Sequence, residues 1–107
     1  MKIEFEKEYL RELYENGKTS NRKHRFQKQV INQYIKTVDI LRQAPDTEFL
    51  YKFKGLNYER KEGNLKGVEA VYVNLQYRLE FSSRRECKEP DVITICSLSD
   101  LSNHYKK

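Results

Sequence analysis

The chain lacks any apolar run long enough to cross a bilayer, and its start, MKIEFEKEY, alternates and carries charge where a secretory signal would be apolar. Both absences point to a cytoplasmic protein with no membrane partner. Cysteine is scarce. Cys87 and Cys96 are the two present, and neither stands near a histidine at metal-ligand spacing. No metal site and no cofactor are expected. The thiols read as reduced, one at the surface and one in a strand, with a disulfide across the last hairpin as the alternative. Internal repeats and low-complexity segments are missing too. A length of 107 residues suits one domain, residues 1–107, with a modest core. Acid is the scarcer charge, with 16 Asp and Glu against 21 Lys and Arg, a net charge of +5. That excess favours a polyanionic partner, nucleic acid first and an anionic membrane surface second, although solubility alone is served by it.

What is present is organised around residues 63–81, GNLKGVEAVYVNLQYRLEF. A glycine-bounded basic turn, Gly63 to Gly67, leads into two short β-patterned runs, 68–73 and 76–81, separated by Asn74 and Leu75. Runs so short and so close pair as an antiparallel hairpin. Side chains alternate along a strand, so Tyr77, Leu79 and Phe81 share one face while Arg78 and Glu80 share the other. The first face covers a core, and the second displays Arg78.

Upstream, residues 2–5 alternate as a short strand or a helix lead-in. Tyr9, Leu10, Leu13 and Tyr14 recur at helical spacing within 6–16, and Gly17 stops that helix. Phe26, Val30, Tyr34, Val38 and Leu41 form the stripe of a second helix, which ends at Ala44-Pro45. Its neighbour His24 reads as a surface residue. Residues 48–57 suit a short helix, an extended segment or both, and 58–62 a strand entering the basic turn. Residues 82–90, SSRRECKEP, read as a polar loop with Arg84 and Arg85 at its tip. Residues 91–97 read as a last strand, with Ile93 and Ile95 on one face and Val92, Thr94 and Cys96 on the other; 98–107 read as a tail. The expected fold is α+β, an N-terminal αα-hairpin packed on one face of a small antiparallel sheet. The opposite face is then open.

Three stretches carry a resemblance. Residues 12–20, ELYENGKTS, are similar to the run between the first two helices of the RelE/ParE toxin superfamily. Within 63–81, the order glycine, polar residue, two variable residues, glycine, strand, turn, then Tyr77-Arg78-Leu79-Glu80-Phe81 resembles the core of its HigB-like branch of killer proteins. The end, Asp100 to Tyr105, resembles family endings that place a histidine and a tyrosine just after the last strand. The resemblance spans almost the whole chain. It implies a type II toxin: a ribosome-dependent mRNA endonuclease that cuts mRNA in the ribosomal A site without a metal and so inhibits translation. It implies two partners, the ribosome and a cognate antitoxin, HigA-like with a helix-turn-helix.

Cutting RNA without a metal uses the 2′-hydroxyl as internal nucleophile. One group must take its proton, one must stabilise the phosphorane oxygens, and one must protonate the leaving 5′-oxygen. An arginine fork suits the second task, which assigns it to Arg78; the bland alternative is a solvated strand arginine paired with carboxylates on the open face. Histidine's unperturbed pKa lies close to working pH, so His104 suits an acid or base, and Tyr105 either stacks on a base or donates a proton. A frayed tail is the competing reading of both. Some relatives carry a catalytic lysine directly before the first glycine and a histidine three residues earlier, where this chain has Glu62 and Glu59. Lys61, Arg60 or Lys54 then supplies the cation from a neighbouring position, Glu62 acts as the base, or activity is reduced. Lys54, Arg60, Lys66, Arg84 and Arg85 are the expected contacts to RNA phosphates. Two other functions stay open: a ParE-like inhibitor of DNA gyrase that cuts nothing, and a basic RNA-binding domain without catalysis.

Overall fold

Two amphipathic helices supply one layer. The computed structural model describes residues 1–60, 67–89 and 91–103, with Lys88 described by its backbone alone. Helix α1 (Glu8–Asn16) buries Tyr9, Leu10 and Leu13. It stops at Gly17, whose φ of 73° lies in the left-handed region and whose N–H donates to the Leu13 carbonyl at 3.0 Å. Helix α2 (Lys28–Gln43) buries Val30, Ile31, Tyr34, Thr37, Val38 and Leu41. Phe26 precedes this helix instead of opening its stripe, and packs edge-on against Tyr77 with ring centroids 5.3 Å apart. Pro45 forces Ala44 into extended backbone, ψ 136°, and α2 ends. Two 3-10 turns, Glu48–Lys52 and Lys54–Leu56, follow.

The second layer is a five-stranded sheet in the order β1-β5-β4-β3-β2. Its strands are β1 (Lys2–Phe5), β2 (Glu59–Arg60), β3 (Glu69–Tyr72), β4 (Tyr77–Lys88) and β5 (Asp91–Asn103). Strands β2 to β5 pair antiparallel, as expected, with the central hairpin in the register Tyr72 opposite Arg78. The sheet is nonetheless mixed, because β1 runs parallel to β5 with Ile3 opposite Cys96.

Two expectations are corrected. Residues 82–88 are strand, not loop, so Arg84 and Arg85 sit mid-ladder opposite Ile95 and Thr94. Residues 98–103 are also strand, not tail. SSRRECK offers no apolar alternation, so nothing local marks it as β. Its pairing is enforced from outside, by the β-branched run Val92-Ile93-Thr94-Ile95 on the partner strand. The β4–β5 ladder carries a bulge: Phe81 faces Leu98 but Glu80 faces Asp100, leaving Ser99 as the extra residue. Both cysteines are free. Cys87 lies opposite Val92 and Cys96 opposite Ser83, so the ladder does not bring them together.

The core lies between the layers. Leu10, Leu13, Tyr34, Val38 and Leu41 from the helices meet Val71, Leu79, Phe81, Cys96 and Leu98 from the sheet. Each side chain so buried contributes about 1.5–3 kcal/mol relative to exposure. Tyr34 satisfies its hydroxyl by donating to the Leu10 carbonyl at 2.7 Å. His24 is half-buried rather than a plain surface residue, its ring lying flat on Tyr9 at 3.6 Å. No helix among the described residues is long and apolar enough to cross a membrane.

Candidate functional site

The alternation that sends Leu79 and Phe81 into the core sends Arg78 and Glu80 to the face away from the helices. The β2–β3 and β3–β4 registers put Glu59 opposite Ala70 and Ala70 opposite Glu80, so Glu59 joins them there. Arg78 Nη1 donates to Glu59 Oε1 at 3.2 Å, and its Nε lies 3.7 Å from Glu80 Oε2. The Arg78 side chain is 24% exposed and that of Glu59 49%. One guanidinium is thus held between two carboxylates, about a quarter of its side chain exposed.

Opposite Arg78 on β5 stands Ser102. The Arg78 Nε and the Ser102 Oγ are both buried, and neither has a hydrogen-bond partner among the described residues. Leaving a buried polar group unpaired costs about 1–3 kcal/mol. The last described residue of β5, Asn103, lies opposite Tyr77, so this strand ends beside Arg78.

The other expected site residues do not gather there. Arg84 shares the face of Arg78, but six residues along a strand is about 20 Å; it pairs with Glu4 at 3.1 Å. Arg60 and Arg85 point to the helix side. Arg60 Nε donates to the Tyr58 hydroxyl at 3.1 Å and its Nη2 to Thr47 Oγ1 at 3.3 Å. Arg85, with Arg60, Thr47, Ser83 and Thr94, lines a separate polar pocket of about 370 Å³. Behind that pocket Glu69 is buried and accepts from the Tyr58 hydroxyl and, at 2.5 Å, from Ser83 Oγ. Burial pushes the Tyr58 hydroxyl up to about 12. Lys54 lines another cavity, by α2. Lys61, Glu62, Lys66, His104 and Tyr105 lie outside the described residues.

Sequence reasoning missed two members of the Arg78 cluster. In the sequence Ser102 falls in the stretch that reads as a tail, and Glu59 in a short strand, where it stands out only as a departure from the family pattern. Glu59 reaches Arg78 across β3, two strands away, which no local spacing encodes. Among the described residues, no group of three His, Cys, Asp or Glu side chains is placed to hold a metal ion.

Comparison with known proteins bears on the class. The fold is similar to that of a YoeB/ParE toxin from Agrobacterium tumefaciens, with a TM-score of 0.54 over 98% of this chain and 100% of that one. At 14% identity that likeness speaks for the fold alone. The chain is 35% identical over 82 residues to Toxin HigB-1 of Vibrio cholerae serotype O1, covering 76% of this chain and 82% of that toxin. Residues 3–93 match the family model for the RelE-like toxin HigB of type II toxin-antitoxin systems. With a match of that breadth behind the two-layer fold, the chain belongs to the HigB-like family of type II toxins.

Proposed function

We propose that this toxin is a ribosome-dependent mRNA endonuclease that works without a metal, and that its chemistry centres on Arg78. The observation that carries the reading is the Arg78 guanidinium on the face away from the helices, its Nη1 3.2 Å from the half-exposed Glu59 carboxylate and its Nε 3.7 Å from Glu80. An arginine in this setting holds a phosphate's oxygens and strengthens its grip as they gain charge in the phosphorane.

The substrate's own 2′-oxygen attacks phosphorus and the bond to the 5′-oxygen breaks, leaving a 2′,3′-cyclic phosphate and a 5′-hydroxyl. When a phosphate takes the Arg78 fork, it displaces Glu59 from Nη1, and the released carboxylate takes the 2′-proton. Glu62 is the alternative base. The leaving oxygen receives its proton from His104, with Tyr105 stacking on a base or sharing the transfer. His104 follows Asn103 in the sequence, and Asn103 is the residue opposite Tyr77.

The observation that favours a non-cleaving reading is the anionic setting of Arg78, paired with Glu59 and close to Glu80. A ParE-like gyrase inhibitor or an RNA-binding domain needs no proton acceptor there. The deciding experiment incubates purified toxin with mRNA, with and without translating ribosomes, and maps the new 5′ ends. Cleavage at codon boundaries only when ribosomes are present is expected. Intact mRNA, together with accumulation of gyrase-cleaved DNA, overturns the proposal in favour of the ParE-like reading. RNA binding that falls steeply with salt but never leads to cleavage overturns it in favour of the binding domain.

A further inference from the structure

A cleft of about 480 Å³ opens between the second half of α2, the 3-10 turn at Lys54–Leu56 and the end of β3. Its apolar side chains come from Ile40, Leu56, Val73 and the exposed Phe53. Lys36, Lys52 and Lys54 also line it, and no carboxylate is among its described lining residues. Tyr51, more than half exposed, lies on the same 3-10 segment as Lys52. These three lysines stand apart from the sheet arginines Arg78, Arg84 and Arg60, which are engaged by Glu59, by Glu4, and by Tyr58 and Thr47 respectively.

We propose that this cleft is where the antitoxin docks, through an acidic amphipathic segment whose apolar side chains enter the cleft while its carboxylates meet Lys36, Lys52 and Lys54. The inference rests on the chain being a type II toxin with a protein antitoxin. It does not rest on RNA cleavage. Charge complementarity selects the occupant, since three ammonium groups with no carboxylate among the cleft's described lining residues repel a basic segment and attract an acidic one. The chemistry of the lining argues for peptide over RNA. The cleft contains no guanidinium fork for a phosphate, and its aliphatic floor matches the apolar face of a helix laid in a groove. Lysine stems also extend the apolar surface while their heads stay in water.

The test uses a fluorescein-labelled designed helical peptide with leucines on one face and glutamates on the other. A short oligouridine serves as the competing probe. Fluorescence polarisation measures binding of each to the whole toxin and to the triple variant Lys36→Glu, Lys52→Glu, Lys54→Glu. A second triple variant, Lys2→Glu, Lys18→Glu, Lys23→Glu, carries the same change of net charge at exposed positions elsewhere. The expected result is that the acidic peptide binds, that the cleft variant weakens it about tenfold or more, that the control variant changes it less than about threefold, and that salt weakens it. No peptide binding, equal loss in both variants, or oligouridine binding that depends on the three cleft lysines overturns the proposal. None of these outcomes depends on nuclease activity, so a failed docking site and a failed nuclease assignment are told apart.

Discussion

Arg78→Ala should separate catalysis from folding. Its ion pair with Glu59 joins a side chain 24% exposed to one 49% exposed, and its contact with Glu80 is long, at 3.7 Å. Pairs this open to water contribute little, so their loss costs about 1 kcal/mol at most. The stem's packing adds a few tenths more. A domain of this size then melts roughly 4–8 °C lower, yet with typical stabilities of about 5–15 kcal/mol it stays almost wholly folded at assay temperature. Catalysis is hit far harder. Removing one well-placed donor to a developing oxyanion slows reactions about 10²–10³-fold. Arg78→Lys retains the charge but not the fork, and should recover only part of the rate. The measurement is single-turnover mRNA cleavage on programmed ribosomes, with a thermal melt of each variant in parallel. A cleavage rate within about threefold of the parent, in a folded Arg78→Ala protein, refutes the role given to this side chain. A rate loss that merely tracks the unfolded fraction refutes it as well.

Glu59→Gln should slow cleavage about 10²-fold or more and remove the acid limb of the pH–rate profile, because the amide accepts no proton; an unchanged profile assigns the base elsewhere. Phe81→Ala should cost about 3–5 kcal/mol by denaturant unfolding, since its ring is 1% exposed between the layers. Alkaline conditions should weaken the fold. The Tyr58 pKa rises from 10.0 to about 12 on folding, and burial also raises those of Tyr9 and Tyr34. The folded state therefore holds these protons more tightly than the unfolded one. Their contribution is complete below pH 10 and is lost as pH passes through about 12 and beyond, which denaturation midpoints across that range will show.

Much of this fold is local and therefore legible. The stripe on α2, the Gly17 stop, the Pro45 break and the parity of Tyr77 to Phe81 each follow from residues within one or two turns of each other. What was not legible depends on distant partners. Residues 82–88 carry no strand pattern of their own and become β only because 91–97 pair with them. Strand β1 runs parallel because the chain returns beside it some ninety residues later, which no spacing in MKIEF announces. The same split governs the site. Arg78 and Glu80 share a face by simple alternation, whereas Glu59 reaches Arg78 through two registers and Ser102 through a bulge. Arginines that look like one basic surface in sequence are dealt to opposite faces by their parity: Arg84 to one, Arg85 to the other.

Ser99 gives the terminal strand its final phase. Positions 96 and 98 face the helices, and after one supernumerary residue it is 101, not 100 or 102, that does so again. Ser102 is thereby delivered opposite Arg78 instead of the apolar Leu101. Chain length there acts as a toggle: deleting Ser99 would close the bulge and leave the same residues inside, whereas inserting one further residue would exchange inside for outside all the way to the end of the strand. An added residue, more than a change of residue type, is what this corner of the molecule cannot absorb.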